Sequence, residues 1–205
     1  MVVELPVIEA FEAISADYDV IQDDWYATLD SRVEELIIAT LGRNLDGRLV
    51  LDVGCGTGLY SLKLARRGAK VLGLDPARGL VAQARRKARR WGVRGAAFAV
   101  GVAEALPVAD GCADAVVCCG SVFAFVRDPA AALREFCRVL KPGGRLIFDA
   151  ENRFSLDTFW LCLSGLLGDP LGYGVSRPEA LKALFTRPGR PVRLRYPLVR
   201  ADGST

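Results

Sequence analysis

Apolar residues recur along the chain with two alternating rhythms. Val7, Phe11 and Ile14 share one face of a helix predicted over 6–15. Val33, Leu36, Ile37 and Leu41 make a second helical stripe, and Ser31 with Glu34 predicts a capping box at its start. Leu49 to Val53 is a short continuous apolar run, as expected for a strand buried on both faces of a parallel sheet. Gly54, Gly56 and Gly58 then punctuate a tight turn, and Leu59, Leu62 and Ala65 resume helical spacing until about Gly68.

The alternation continues. Val71 to Leu74 is a second strand, ending in Asp75. A helix over about 78–91 buries Leu80, Val81, Ala84, Ala88 and Trp91, and Ala96 to Val102 is a third strand. Asp114 leads into a fourth, Ala115 to Cys119. Asp128-Pro129 carries both helix-start signals, an N-cap acid and a proline in the first turn. Leu133, Phe136, Cys137 and Leu140 form that helix's apolar face, Lys141-Pro142-Gly143-Gly144 stops it, and Arg145 to Glu151 is the fifth strand. Five strand–helix alternations predict an α/β fold: a Rossmann-like, open, mostly parallel, doubly wound sheet with helices on both faces.

After Asn152 the character changes, with Phe154, Leu156, Phe159, Trp160 and several leucines crowded before Gly174. Ser176 and Glu179 cap a further helix. Val192 to Arg200 is the one good candidate for another strand, and Asp202-Gly203 behind it is a hairpin signal without a returning strand. The last strand or strands are therefore expected to be missing, with 192–200 beside the fifth strand and one edge open. A loose tail is the alternative.

Composition narrows the function classes. Hydrophobic residues are 51% and charged residues 25% of 205, with a net charge of only +3, which fits one soluble globular domain without a global pull toward nucleic acid. No stretch is long and apolar enough for a membrane span, and the N-terminus lacks a basic leader. The six cysteines form no C-x-x-C pair and histidine is absent, so no metal site is expected. Free thiols in a reducing cytoplasm are the fitting reading. Without histidine, Ser-His and Cys-His catalysis are excluded.

The glycine turn is the chemical centre. Glycines let a ligand approach the main chain, and free N–H groups at the following helix start face the same crevice. Asp75 lies at the distance past the first glycine where an acid grips ribose hydroxyls. A dinucleotide loop needs a glycine where this chain has Leu59; the third glycine comes one residue early, at Gly58.

Asp52-Val-Gly54-Cys55-Gly56-Thr-Gly58 followed by Asp75 resembles motif I and the ribose-binding acid of the class I S-adenosylmethionine-dependent methyltransferases. Residues 101–111 resemble that family's Gly-Asp-Ala-Glu-x-Leu-Pro-Phe-x-Asp-Gly segment, with Val102 in place of the adenine-binding Asp. Leu133 to Leu146 resembles a further family motif. The likeness covers about 48–151 and is to the small-molecule "type 11" group, similar to ubiquinone and menaquinone C-methyltransferases. Amino-methylating DNA enzymes carry an Asp/Asn-Pro-Pro-aromatic tetrapeptide after the fourth strand, and the C5-cytosine enzymes a Pro-Cys; both are absent.

The resemblance implies S-adenosyl-L-methionine as cofactor. Loop backbone from Gly54 through Cys55 and Gly56 to Gly58, with Asp52, would lie near its methionine part. Asp75, followed by Pro76, would hold the ribose, and Val102, Ala103 and Glu104 would surround adenine. Gly120 and Ser121 face the crevice after the fourth strand. The Tyr18-Asp19 segment resembles one that folds over cofactor and substrate. No catalytic residue stands out; Tyr18, Tyr26, Glu151, Asn152 and Arg153 are the candidates for orienting or acid–base work.

Four parts are expected within one domain: a helical cap (1–45), a cofactor-binding core (46–151), an apolar lid (152–178) and a C-terminal helix and strand (179–205). The lid suggests a small apolar, phenolic or quinone-like methyl acceptor. Burial of 153–174 against the core or a second subunit is the alternative, which leaves a homo-oligomer open. An RNA or protein methyltransferase would use the basic face of Arg85, Arg86, Lys87, Arg89 and Arg90, though a solvated helix face is the plainer account and nucleic acid is not expected as a partner. A non-catalytic cofactor-binding domain is the third reading.

Overall fold

The computed structural model describes residues 7–21 and 24–150, and the side chains of these outside 20–30. The elements are α1 (Val7–Ile14), α2 (Tyr18–Ile21), α3 (Asp24–Leu41), β1 (Leu49–Val53), α4 (Leu59–Ala65), β2 (Lys70–Asp75), α5 (Arg78–Arg90), β3 (Ala96–Val100), β4 (Ala113–Cys118), α6 (Pro129–Val139) and β5 (Leu140–Phe148). A 3-10 turn, Val122–Phe125, follows β4. The strands form one sheet in the order β3-β2-β1-β4-β5, all parallel. The chain builds outward from β1 to β3, then returns to place β4 on β1's other side. The β1/β4 boundary is therefore the switch point, where such sheets bind ligands.

Because β1, β2 and β4 are buried on both faces, their side chains divide between two layers. On one face Val50, Val71, Ala115 and Val117 pack with Ile37 and Leu41 of α3 and Tyr60 and Leu64 of α4. Alongside, Leu62 of α4 meets Val81, Ala84 and Ala88 of α5 and Phe98 of β3. On the other face Leu51, Val53, Leu74, Val116 and Cys118 pack with Ala132, Phe136 and Val139 of α6. The open, doubly wound sheet is thus as expected.

Several local expectations give way. Ser31 and Glu34 lie inside α3, which begins at Asp24, about two turns upstream; the Glu34 carboxylate pairs with Lys63 of α4 (2.6 Å) and with Arg67 just beyond it (3.3 Å). Leu36 is 66% exposed, since Val33, Ile37 and Leu41 already fill the seam to the sheet. Trp91 is 48% exposed: α5 ends at Arg90, and the indole lies beneath the Arg66 and Lys87 cations. Cys137 is exposed, the inner face of α6 being Ala132, Phe136 and Val139. The third strand stops at Val100. The fifth begins at Leu140, paired with Ala113, and resumes regular pairing only at Arg145, so Pro142-Gly143-Gly144 is an excursion within a strand. The predicted lid, the helix after Ser176 and the strand at 192–200 lie outside the described residues.

Candidate functional site

Three glycines with positive φ carry the chain out of β1: Gly54 at 75°, Gly56 at 53° and Gly58 at 85°. The N–H groups of Gly54 and Cys55 both donate to the Leu74 carbonyl, at 2.7 and 3.0 Å, pinning the loop to β2. A side chain at Gly54 would overlap the branches of Val122, so the turn after β4 is seated directly on the loop after β1. At Gly58 a Cβ would meet Phe98 at 3.0 Å. At Gly56 it would meet nothing within 4 Å, so the loop has one face open to a ligand.

Asp75 ends β2 and is 7% exposed. Its Oδ2 accepts the Gly56 N–H and its Oδ1 the Ala77 N–H, each at 2.9 Å. Burial pushes the carboxyl above the usual range, and the two backbone donors pull it back. Each oxygen keeps a lone pair for a second donor. The set of a carboxylate at the strand end, a loop it holds, and open space over Gly56 fits a ligand with a ribose diol. Pro76 lies between the two Asp75 contacts.

Asp52 and Cys55 point away from that open face. Asp52 is 1% exposed beneath the loop, accepting a 2.5 Å hydrogen bond from Ser61 Oγ of α4. Burial raises its pKa to about 6, against the Ser61 hydrogen bonds. The Cys55 side chain packs into the α5 layer, and burial pushes its thiol well up. Only its backbone belongs to the loop surface.

On the neighbouring strands, Val102 is 40% exposed and bridges to Ala105, while Ala103 is buried. Glu104 Oε1 accepts the Arg127 and Asp128 N–H groups (2.9 and 3.2 Å), so its carboxylate serves the start of α6. Gly120 and Ser121 both have positive φ, and their N–H groups donate to the two carboxylate oxygens of Asp149 at 2.7 and 3.0 Å. Cys118 and Cys119 are buried, and burial pushes Cys119 up to about 12. They are core thiols, not nucleophiles.

The N-terminal segment closes over this region. Asp19 Oδ1 accepts hydrogen bonds from Thr57 Oγ1 in the glycine loop (2.6 Å) and Lys87 Nζ of α5 (3.0 Å). Glu12 accepts the Gly79 N–H at the start of α5. Phe11 stacks against Tyr18, centroids 6.2 Å apart, and edge-on to Phe125 of the β4 turn at 5.5 Å. Tyr18 thus joins, through Phe11, an aromatic cluster that reaches the turn after β4. Tyr26 lies on α3, its side chain outside the described part, and Glu151, Asn152 and Arg153 lie outside the described residues altogether.

Thr57, Ser61 and Asp149 are residues the sequence reading missed, and Lys87 entered it only as part of a basic face. Asp149 had a signal, since it ends an apolar strand as Asp75 does. Lys87 had none, standing among four arginines. No group of described residues could hold a metal ion, and no described helix is long and apolar enough to cross a membrane.

Comparison with known proteins agrees with this geometry. Residues 51–148 match the family model of a methyltransferase domain. A ubiquinone biosynthesis O-methyltransferase of Alkalilimnicola ehrlichii is 40% identical over 109 residues, 53% of this chain and 44% of that protein. The chain thus matches less than half the length of that relative. Among solved structures, an S-adenosylmethionine-dependent methyltransferase from Mesorhizobium loti superposes with TM-score 0.52 at 26% identity, covering 60% of this chain and 56% of that one. The [4+2]-cyclase SpnF superposes with TM-score 0.54 at 29% identity over 75% and 55% of the two chains.

Proposed function

We propose that the chain, whose residues 51–148 match the family model of a methyltransferase domain, is a class I S-adenosylmethionine-dependent methyltransferase that binds S-adenosyl-L-methionine at the β1/β4 switch point and transfers its methyl group, by in-line displacement, to a small apolar, phenolic or quinone-like acceptor. The observation that carries the reading is the buried Asp75 carboxylate, hydrogen-bonded to the loop glycine Gly56 and still able to accept two more hydrogen bonds.

In this reading Asp75 takes the ribose hydroxyls in charge-assisted hydrogen bonds. The backbone of Gly54, Cys55, Gly56 and Gly58 lines the methionine end, with Asp52 holding that loop to α4 from beneath. The amides of Val102, Ala103 and Glu104 read the adenine edge, and Pro76, Gly120 and Ser121 border the site. When bound, the cofactor supplies a methyl carbon already activated by a sulfonium. The chain's own work is to align the acceptor and exclude water. The N-terminal helices before the sheet do the latter, fastened to the loop by Asp19. An acceptor hydroxyl that ionises readily needs no dedicated base; Tyr18, Tyr26, Asn152 and Arg153 are the side chains to test as orienting groups.

The acceptor class rests on the curated relative, which is named for ubiquinone biosynthesis, and on the apolar composition of 152–178. A cytoplasmic location belongs to the same reading, supported by the five free thiols among the described residues. Calorimetry with S-adenosylhomocysteine tests the cofactor, and a labelled-methyl assay against phenols, quinols and RNA tests the acceptor. Cofactor binding without transfer to any of them would favour the binding-domain reading. The SpnF superposition is why the assay is needed: this fold also hosts a cyclase.

A further inference from the structure

The net charge of +3 conceals a segregation. Between Arg66 and Arg94 the chain carries ten cations and one acid, Asp75, which is buried; the remaining residues carry 17 cations and 23 acids. A stretch at +9 thus stands against a remainder at −6. The structure brings most of these cations to one flank, made of the turn after α4, all of α5 and the approach to the edge strand β3. Arg66, Arg85, Arg86, Arg89, Arg90 and Arg94 are all exposed there.

Ion pairing does not quench them. Lys87 has Asp19 and Arg67 has Glu34, but among the described residues Arg85, Arg86, Arg89, Arg90 and Arg94 meet no carboxylate. Arg86 and Arg90, and likewise Arg85 and Arg89, stand one helical turn apart and form two parallel rows. Arg85 is braced by bonds from Nε and Nη2 to the Phe98 carbonyl, at 3.1 and 2.7 Å. Arg85, Arg89 and Arg94 border a hollow of about 620 Å³ between α5 and the β3 edge. At the end of the rows the half-exposed Trp91 ring lies under Arg66 (5.3 Å) and Lys87 (5.8 Å).

We propose that this flank is a docking surface for single-stranded nucleic acid, a site separate from the methyl-transfer crevice and independent of the acceptor. Eight of the ten cations are arginines, whose forked donors match phosphate oxygens better than lysine does. The rows follow a strand along the helix, the hollow admits its phosphates, and Trp91 offers a ring at which a base stacks. A lipid surface would need several apolar residues beside the cations, and the exposed positions of α5 are all arginine.

The test uses the full 205-residue chain and a fluorescein-labelled 20-mer of oligouridine, read by anisotropy. With about four phosphates neutralised, affinity should fall about 50-fold between 50 and 200 mM salt. The double variants R86Q/R90Q and R89Q/R94Q should each weaken binding about tenfold at 50 mM salt and flatten that dependence. Both should keep the wild-type affinity for S-adenosylhomocysteine, which separates a failure here from a failure of the cofactor reading. Absence of oligouridine binding at 50 mM salt overturns the proposal, as do unaltered affinities in both variants. Arginine-dependent binding to phosphatidylglycerol vesicles without binding to oligouridine overturns it in favour of a membrane surface.

Discussion

Asp19 and Thr57 are hydrogen-bonded at 2.6 Å, although one precedes the sheet and the other sits in the middle of the glycine loop. Lys87 completes the contact, reaching the Asp19 carboxylate at 2.9 Å and Thr57 Oγ1 at 2.9 Å. The cap is therefore fastened to the loop itself. Thr57 is 4% exposed, so the bond is shielded on one side. Asp19→Asn should loosen the cap by about 0.5–1 kcal/mol and speed S-adenosylhomocysteine release about two- to fivefold. Stopped-flow release at low and high salt measures this; an unchanged rate means the cap does not retain the ligand.

Asp75→Asn should do more damage than its size suggests. The amide's NH2 group would face either the Gly56 or the Ala77 N–H, donor against donor. Loss of the charge-assisted bonds to ribose adds about 1.5–3 kcal/mol, or about ten- to hundredfold in cofactor affinity. Calorimetry reads the affinity, and wild-type binding by the variant would dismiss Asp75 as the ribose acid.

Asp52 makes stability depend on pH. Its carboxyl is raised from the usual 3.8 to about 6, chiefly by burial. The folded protein therefore holds that proton more tightly than the unfolded chain, so stability declines as pH rises through this window. The effect is absent below about 4 and complete above about 6. Asp52→Asn cannot ionise, so its stability relative to wild type should rise by about 2 kcal/mol between pH 4 and 7. Urea melts at the two pH values decide it. A constant difference would mean that Asp52 ionises normally.

Gly54→Ala should destabilise for two separable reasons. The new methyl overlaps Val122, and alanine is strained at a φ of 75°. The single variant should lose about 2–4 kcal/mol, and adding Val122→Ala should restore only the part of the clash made by the two Val122 branches, since the Cβ at 122 still stands 2.9 Å from the new methyl; about 1–2 kcal/mol of backbone strain also remains. A double-mutant cycle in urea isolates the coupling. Strict additivity would mean the two loops are not interlocked in solution.

Much of the fold was legible because it depends on short-range pattern. β1, the glycine turn and β2 stand out as apolar runs cut by residues that only a turn requires. The start of α6 was equally plain, and Asp128 Oδ1 accepts the Ala131 N–H as an N-cap should. The misreadings arose where a sound local signal met a non-local outcome. Ser31 and Glu34 have capping-box spacing, but the helix was already under way. Trp91 has the right period for the buried face, but the helix ends one residue before it. At the site, Gly56 and Asp75 were readable because the 19 positions between them fit one βαβ unit, from the loop after its first strand to the end of its second. The Lys87–Asp19 and Asp149–Ser121 contacts span 68 and 28 positions, and no pattern along the chain registers them.

The charge segregation has a consequence for any approaching molecule. The 13-residue α5 is about 20 Å long, whereas charge is felt over only about 8 Å at physiological ionic strength. A partner at contact range therefore responds to the side it faces and not to the sum. The basic flank therefore acts on its own at contact range, and the protein should be retained by an anionic chromatography resin at neutral pH and low salt more strongly than its net charge of +3 implies. An anionic surface is met first by the helix that follows the glycine loop and the second strand.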